Sequence, residues 1–440
     1  MKTQETFVAI ALAHITERFA AGFPTKAPAI RTVGREAEYP LVSSDGRAAD
    51  VSELWPYLLE QAKCTPTYDQ GADGTKLLSG VEGSGWSSTT EVGRATVEIS
   101  AGPRSTLHEL VRDMNRGLGH LRESAHKAGF HILGFGIQPR TPAYPRILTP
   151  KLRYSCLLKA IGKQWLKFCV TAGDQLQVDV GQDDVVRLMN LVNAASGMII
   201  AVTANSSVYG GREGRFASGR EGLTANMVGE PYRHGAPARP HGDLEEYVHF
   251  LASMQCLCLP DGKGGFRRIG MPFTEYLKSD RAARDPEVAY EAFLFHEHYI
   301  WPSARPRSRI GTLEIRPACQ QPPDSAWVPS ALGLGLMEAA DELERYLGES
   351  LGKNYWPTLQ HYRKIAVTEG FAASEPVPYF LDTIVDIAEA GLRSRGSGEE
   401  TFLDPVRDRL ERRSGPADEA RATFESGGAV ALVQKLSLGR

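Results

Sequence analysis

The order of the predicted strands and helices places this chain in the α+β class, with an antiparallel sheet and a helical C-terminal region. Polar and apolar residues alternate, as in strands with one buried face, around four positions: Glu36, Glu98, Gln177 and Glu314. Apolar residues at helical spacing lie between these stretches, and that spacing dominates from Pro323 onward. Interleaved strands and helices followed by an all-helical end are typical of α+β proteins.

The first hundred residues are expected to contain a helix, several strands and a second helix. Residues 7–13 are apolar and charged residues follow within a turn, which predicts an amphipathic helix and not a secretory signal. Residues 34–42 form the first predicted strand, and residues 51–63 form a helix. Residues 76–100 are rich in glycine, serine and threonine, so we expect short strands and turns there.

The middle of the chain is expected to continue this alternation. Ser105 or Thr106 can cap a helix whose apolar residues recur at helical spacing until Gly129. The stretch HILGFGIQP, residues 131–139, is predicted to be a strand. The stretch that begins with LQVDV at Leu176 is predicted to be a strand, a turn and a helix.

The C-terminal part, residues 325–440, reads as successive helices that we expect to pack on the sheet. We find no internal repeat and no linker long enough to divide the chain. Residues 1–440 are therefore expected to form a single domain, with a sheet-bearing core over residues 30–340 and the helical region packed on it.

The composition is that of a globular protein that handles small molecules. Of 440 residues, 42% are hydrophobic and 23% are charged, and the formal net charge is −3. A nucleic-acid-binding protein would be expected to be basic, so we expect no nucleic-acid partner. The most apolar run, from Gly197, is too short to span a bilayer, so we expect no membrane association. A cytoplasmic monomer or homodimer is the resulting expectation.

The polar faces of the predicted strands are nearly free of lysine and carry carboxylates. Glu98 and Glu314 lie in the middle of strands, where carboxylates are uncommon unless something binds them. If the strands belong to one sheet, their acids line an oxygen-rich wall that suits divalent cations and, through them, nucleotide phosphates. The candidate metal-binding set is Glu36, Glu38, Glu98, Gln177 and Glu314. The alternative is a group of unrelated amphipathic strands whose polar faces contact solvent.

Arginines form a second group near these acids. Arg316 shares a strand face with Glu314, and a guanidinium beside metal-binding acids can stabilise charge on a transferring phosphoryl group. The chain has no GxxxxGK[ST], GxSxG or HExxH motif. An enzyme that uses ATP on this chain would therefore hold phosphate through metals and arginines. For Arg212, Arg215 and Arg307 the simpler interpretation is solvated surface charge.

His296 and His298, in the stretch FHEHYIWP, are expected to share a strand face. Two histidines can bind a metal, but no third ligand follows at a suitable spacing. We favour a structural pair, or a single hydrogen bond to a substrate.

Eight short motifs follow one another along the chain. They are GREAEYPLV, TVEISAGP, GFGIQP, LQVDV, TANSSVYGG, GRFASGR, IGMPFTEYL and GTLEIRPACQQP. This series closely resembles the plant and proteobacterial type of glutamate–cysteine ligase over residues 30–340. The specificity of the resemblance lies in the order of the motifs and not in any one of them.

The resemblance implies a fold and a reaction. The implied fold is a curved antiparallel sheet that forms a funnel, as in the glutamine synthetase and glutamate–cysteine ligase type, flanked by helices. The implied activity is an ATP-dependent carboxylate–amine ligase that joins two small-molecule substrates, glutamate and cysteine. The γ-glutamyl bond would form through an acyl phosphate, as the first step of glutathione-type thiol synthesis. ATP and two to three Mg²⁺ ions are the implied cofactors.

The resemblance also implies roles for individual residues. The implied metal ligands are Glu36, Glu38, Glu98, Gln177 and Glu314. Arg316 and Arg309 are the implied catalytic residues, and Arg316 and Gln177 are implied to contact ATP. The implied substrate-binding residues are Arg220, Asn205, Ser206, His296 and Arg305.

Three departures from the family pattern bear on the amine substrate. Thr96 stands where the plant enzymes usually have a glutamine, the segment between Arg305 and Glu314 is a little longer than in the plant pattern, and CQQPPDSAW replaces an acidic, glycine-rich turn. All three lie where the second amino acid is expected to bind. The alternative is therefore a related ligase that joins another amino acid or amine in a secondary-metabolite pathway. A non-catalytic binding protein is a further alternative, but the intact acidic set argues against it.

Overall fold

The computed structural model describes residues 2–279 and 285–439, and it confirms the α+β class. The described strands are β1 (Val33–Val42), β2 (Thr65–Gln70), β3 (Lys76–Gly83), β4 (Trp86–Thr90), β5 (Thr96–Arg104), β6 (His131–Ile132), β7 (Gly173–Asp179), β8 (Val208–Tyr209), β9 (Arg212–Glu213), β10 (His234–Gly235), β11 (Gln255–Pro260), β12 (Phe266–Pro272), β13 (Trp301–Pro302), β14 (Ala304–Arg307) and β15 (Thr312–Cys319).

Nine of these strands form one open sheet in the order β14-β15-β7-β1-β5-β4-β3-β2, with β6 on the end of β1. Every pairing in this sheet is antiparallel. Strand β1 lies at the centre, between β7 and β5, so residues from distant parts of the chain become its neighbours.

The described α-helices are α1 (Lys2–Ala20), α2 (Trp55–Gln61), α3 (Leu107–Lys127), α4 (Leu152–Ile161), α5 (Val185–Thr203), α6 (Gly219–Thr224), α7 (Leu244–Ser253), α8 (Phe273–Tyr276), α9 (Pro286–His298), α10 (Val328–Glu338), α11 (Ala340–Leu351), α12 (Trp356–Glu369), α13 (Phe380–Ser394), α14 (Asp404–Arg412) and α15 (Pro416–Leu436).

Helices α3, α5 and α10 cover one face of the sheet. The apolar residues that alternate with the acids point to this face, and they share one hydrophobic core with the C-terminal helices. Among the described residues, α5 is the one helix whose length and composition would suit a membrane span, and 83% of that window is buried in the protein. Burial of this extent is typical of a core helix.

One predicted strand is much shorter in the structure. Of residues 131–139, only β6 is a strand, and the rest of the segment is irregular. Gly134 lies so close to a neighbouring segment that a Cβ there would stand 2.4 Å from the carbonyl oxygen of Gln321. The chain at Gly134 therefore packs closely against backbone outside the sheet, and the strand does not continue beyond β6.

The strand predicted around the two histidines is wrong. His296 and His298 lie in the last turn of helix α9. Asp285 begins this helix, since its carboxylate accepts hydrogen bonds from the amides of Glu287 and Val288, and Pro286 occupies the first helical position. The capping signal therefore outweighs the short alternation that suggested a strand.

Candidate active site

Backbone pairing brings the predicted metal-site residues onto the sheet face that α3, α5 and α10 leave free. Glu38 pairs with Glu98 across β1 and β5, and Gln177 pairs with Glu314 across β7 and β15. Glu36 is two residues from Glu38 on β1 and therefore points to the same face. The sheet thus unites five polar residues that lie up to 278 positions apart in the chain, from Glu36 to Glu314.

Three carboxylates form a tight cluster on this face. Glu38, Glu91 and Glu98 each offer an oxygen atom, and these atoms all lie within 4.8 Å of one another. Burial, and after it the charge of Glu91, raises the pKa of Glu38 to about 7 and the pKa of Glu98 well above its usual range. A divalent cation relieves repulsion of this kind, so the cluster fits a hard ion such as Mg²⁺.

Glu91 is a member of this cluster that the sequence analysis missed. It follows the end of β4 and does not lie in the middle of a strand, so it lacks the alternating apolar neighbours that marked the other acids. A weak signal existed: Glu91 is two residues beyond Thr89, which pairs with Glu98. That relation becomes visible only when the β4–β5 register is known.

Glu36 and Gln177 form a second polar pair on the face. The Nε2 atom of Gln177 donates to Glu36 Oε1 at 3.5 Å, and the hydroxyl of Thr312 donates to Gln177 Oε1 at 2.7 Å. Burial and the neighbouring Glu314 raise the pKa of Glu36. Its one described hydrogen bond is long, so Glu36 has oxygen lone pairs to offer a cation or a donor.

Glu314 has different surroundings, because three guanidiniums contact it. Arg305 Nε lies 2.7 Å from Glu314 Oε2, Arg307 Nε lies 3.4 Å from the same oxygen, and Arg316 contacts Oε1. Burial acts to raise the pKa of Glu314, but the three arginines outweigh it and hold the pKa well below its usual range. In this arrangement both oxygens already accept hydrogen bonds, so the role of Glu314 as a metal ligand stays a prediction.

A narrow, charged cleft borders the face on the side of Glu38. Its lining includes Glu38, Glu91, Arg220, Arg316, Phe168 and Trp301. The Arg220 guanidinium packs over the start of β7, where a Cβ on Gly173 would lie 2.6 Å from it, and it pairs with Glu221 at 2.8 Å. Glu38 accepts a hydrogen bond from the Gly173 amide at 2.6 Å. This charged cleft therefore presents cations beside the acidic cluster.

A second cleft, of about 370 Å³, borders the face on the side of Glu36. Its lining includes Glu36, Gln177, Ser100, Thr312, Trp86 and Ile310. Among the described residues, the charged groups of this lining are the carboxylates of Glu36 and Asp179 and the guanidinium of Arg35, which is buried in an ion pair with Asp174. The other groups are hydroxyl, amide and apolar. Strand β1 thus separates two spaces of different chemistry.

Comparisons with known proteins identify the family. The glutamate–cysteine ligase family 2 matches this chain over residues 32–435. The chain belongs to this family. Its membership confirms the relationship that the order of motifs predicted.

Relatives with recognisable sequence similarity to this chain include plant enzymes. The chloroplastic glutamate–cysteine ligases of Medicago truncatula and Arabidopsis thaliana are both 24% identical to it, over 323 and 325 residues. Each alignment covers 70% of this chain and 62% or 60% of the plant enzyme, so the chain spans about three fifths of the length of these relatives.

A solved structure of a glutamate–cysteine ligase from Francisella tularensis in complex with AMP resembles this fold. The TM-score is 0.55, with 10% sequence identity, and the match covers 94% of this chain and 88% of that one. At this identity the likeness concerns the fold alone.

Two predicted substrate-binding residues of this family member lie behind the charged cleft. Asn205 is fully buried and donates to the carbonyl oxygens of Gly134 and Gln320. The hydroxyl of Ser206 accepts a hydrogen bond from the Arg220 amide at 3.1 Å. Ser206 thereby holds the segment that carries Arg220, whereas Asn205 ties together the backbone at Gly134 and Gln320.

Two other predicted site residues lie apart from the acids. Arg309 is largely exposed and pairs with Glu291 at 2.7 Å. His296 is buried, stacks on Phe273 and contacts the carbonyl oxygen of Leu251 at 2.8 Å. The structure therefore brings neither side chain to the acidic face, whereas Arg305, predicted to bind substrate, is there as a partner of Glu314.

Proposed function

We propose that this member of the glutamate–cysteine ligase family 2 is an ATP-dependent ligase that joins glutamate and cysteine by a γ-glutamyl amide bond. The observation that carries the proposal is the position of strand β1, which presents Glu36 to one cleft and Glu38 to the other. Two ligands in these clefts would share one acidic wall. Transfer of a phosphoryl group from one ligand to the other requires such an arrangement.

The chemistry of each cleft supports a different ligand. The charged cleft has the guanidinium of Arg220, which suits a carboxylate of an acidic amino acid. The cleft beside Glu36 has apolar and hydroxyl groups, which suit a base and a ribose. We therefore assign the acid to the former and the nucleotide to the latter.

Magnesium would be held by the cluster of Glu38, Glu91 and Glu98 and by Glu36 with Gln177. When bound, the ions would neutralise phosphate charge and orient the phosphate groups. Two or three ions, as the resemblance implies, are part of this proposal.

The residues of the chain would act by positioning and by electrostatics. Arg316 lines the acid cleft and also contacts Glu314, so we assign its guanidinium to the point of phosphoryl transfer. There it would stabilise the charge that spreads over a transferring phosphoryl group. All six cysteines are free, five of them are buried, and no serine with a matching base was found in the sequence. The acid would therefore be activated directly as an acyl phosphate, which the cysteine amine then attacks.

The test is release of ADP and phosphate from ATP with pairs of amino acids. Release should require both glutamate and cysteine, and oxygen-18 in the reacting carboxylate should pass into the released phosphate. Formation of AMP and pyrophosphate would exclude the acyl phosphate. Turnover with a different amine would identify the alternative ligase. Size-exclusion chromatography and cell fractionation would test the accompanying proposals of a monomer or homodimer and a cytoplasmic location.

A further inference from the structure

A third cleft, of about 650 Å³, opens between helix α9 and strand β11. Most of its wall is apolar and includes Leu259, Tyr276, Val288, Ala292, Leu294 and Phe295. Its charged and polar lining comprises Arg153 from α4, Glu287, Glu291 and His298 from α9, and Arg307 and Arg309. Neither of the two proposed substrates of the preceding section occupies this third cleft.

The third cleft reaches the acidic face. Arg307, which lines it, has its Nε atom 3.4 Å from Glu314 Oε2. The carbonyl oxygen of His298, which also lines it, accepts a hydrogen bond from Arg305 at 3.0 Å. Burial acts to lower the pKa of the Arg153 guanidinium, but Tyr154, Tyr299, Asp69 and Glu91 outweigh it and raise that pKa, so Arg153 is within electrostatic reach of Glu91. A ligand in this cleft would therefore meet the acidic wall from a third direction.

Arg153 differs from the other arginines of the site. Arg220, Arg305, Arg307 and Arg316 each pair with a carboxylate, whereas within residues 2–279 and 285–439 no carboxylate lies within 4.0 Å of Arg153. Its Nη2 atom donates to the Tyr154 hydroxyl at 3.2 Å, and its Nε atom is buried without a hydrogen-bond partner. A buried donor of this kind is costly unless a ligand satisfies it.

Packing alone does not account for this arrangement. The Arg153 guanidinium lies 4.8 Å from the centre of the Tyr154 ring, which satisfies its face but not the N–H groups in its plane. Within the described residues the buried Tyr299 hydroxyl has no partner that meets strict hydrogen-bond geometry, but it lies beside Arg153, whose charge and side-chain hydrogen bond oppose the burial that raises the pKa of Tyr299. A guanidinium and a neighbouring hydroxyl are donors that suit a carboxylate.

We infer that Arg153 binds the carboxylate of the amine substrate and so restricts that substrate to amino acids. The inference rests on the proposed function, in which the acid and the nucleotide already have their own clefts. The amine is the remaining reactant, and among the described residues the third cleft is a further space that reaches the acidic wall. Its apolar lining suits a short, weakly polar side chain such as that of cysteine.

The test compares L-cysteine with cysteamine, which has the same amine and thiol but no carboxylate. For Arg153→Gln we expect the KM for L-cysteine to rise about 10- to 100-fold, as for loss of a hydrogen bond to a charged group. The KM values for cysteamine, ATP and glutamate should stay within about 2-fold of wild type, because none of them would contact Arg153. Arg153→Lys keeps the charge but lacks the planar guanidinium. Its KM for L-cysteine should therefore lie between the values of wild type and Arg153→Gln.

The matched control is Lys159→Gln, which removes an exposed cation from α4, the helix that carries Arg153. It should leave all four KM values unchanged, and circular dichroism should show that both variants fold. Equal losses for L-cysteine and cysteamine, or a selective rise in the KM for ATP or glutamate, would overturn the inference.

Failure of the proposed function gives a different result. Wild-type protein would then release no phosphate with any pair of amino acid and amine. Calorimetric titration with L-2-aminobutyrate and with 1-aminopropane decides the inference in that case. A carboxylate site at Arg153 is supported if wild type binds L-2-aminobutyrate more tightly than 1-aminopropane and Arg153→Gln binds the two ligands equally. Equal binding of the two ligands to wild type rejects it.

Discussion

At the scale of single residues, the carboxylates of the acidic face fall into two electrostatic environments. Glu38, Glu91 and Glu98 face one another, and burial together with the charges of neighbouring carboxylates raises the pKa values of Glu38 and Glu98. Glu314 faces three guanidiniums that favour its charged form. The cluster of Glu38, Glu91 and Glu98 attracts a cation, whereas Glu314 already contacts three guanidiniums. We therefore propose different roles for glutamates that lie on the same face.

Glu91→Gln tests the metal-binding cluster, since it removes one charge and keeps the size of the side chain. We expect turnover to fall about 100-fold or more, and the Mg²⁺ concentration that gives half-maximal rate to rise. Steady-state rates measured across a magnesium titration check this. Glu82→Gln, on the neighbouring strand β3, is the matched control because that side chain is exposed. Wild-type rates of the Glu91→Gln enzyme at all magnesium concentrations would show that Glu91 is not part of the metal site.

Arg316→Lys tests the proposed contact with the transferring phosphoryl group. Lysine keeps the charge but cannot reproduce the bidentate guanidinium, so kcat should fall about 100-fold while the KM values for ATP and glutamate change little. Arg345→Gln, an exposed residue on α11, serves as the control. Raised KM values with an unchanged kcat would show that Arg316 contributes only to ground-state binding.

At the scale of elements, a C-terminal helix helps to build the substrate side of the face. Arg363 on α12 contacts Glu221 Oε2 at 2.6 Å, and Arg220 contacts Glu221 Oε1 at 2.8 Å. Burial acts to raise the pKa of Glu221, but His234 and the two arginines outweigh it and lower the pKa. The carboxylate therefore links helix α12 to the arginine proposed to bind the acid.

Arg363→Met tests this link. It leaves Glu221 with one guanidinium partner in a buried setting, and we expect the free energy of unfolding to fall by about 3 kcal/mol. We also expect a higher KM for the acid, because Arg220 would lose its fixed partner geometry. Urea denaturation and steady-state kinetics measure the two effects. The double variant Arg363→Met with Glu221→Gln should recover part of the stability. If Arg363→Met alone has wild-type stability, the buried link contributes nothing measurable.

At the scale of the whole molecule, sheet and C-terminal helices share one hydrophobic core. Helix α10 approaches the sheet so closely that a Cβ on Gly333 would lie 3.1 Å from Ile315 and 3.3 Å from Leu176. Such contact supports the proposal that residues 1–440 form a single domain, because neither part could unfold without exposing the apolar face of the other.

Leu176→Ala tests this proposal. The substitution should lower the free energy of unfolding by about 2–5 kcal/mol and shift one common transition. Far-UV circular dichroism, which reports mainly helices, and tryptophan fluorescence should show coincident curves in urea. Val430→Ala, at a half-exposed position on α15, should shift neither. A helical transition that keeps its wild-type midpoint would show that residues 325–440 fold independently.

Removal of magnesium should also affect the whole molecule. The ion would bind the folded cluster and not the unfolded chain, so a saturating concentration of about 100 times Kd should add roughly 2.7 kcal/mol to the stability. Thermal unfolding in magnesium and in EDTA measures the gain. In Glu98→Gln the gain should shrink, because one ligand charge is absent. An equal gain in both proteins would place the stabilising ion elsewhere.

Several features of this protein could be predicted from its sequence alone. Two-residue alternation marked β1, β5, β7 and β15, because strand geometry sends every second side chain to one face. The ordered motifs identified the family, which the comparison confirmed. The acids Glu36, Glu38 and Glu98 were placed on a common face because each lies within a strongly patterned strand.

Other features depended on the tertiary structure. Glu91 enters the cluster through the β4–β5 register, and Arg363 reaches Glu221 across 142 positions of sequence. The third cleft, which Arg153 lines, forms where α4, α9 and β11 meet. Which charges become neighbours is decided by strand order and helix packing over long separations, and local patterns carry no information about those separations. The sequence therefore determined which residues could take part in the chemistry, and the packing decided which of them stand together.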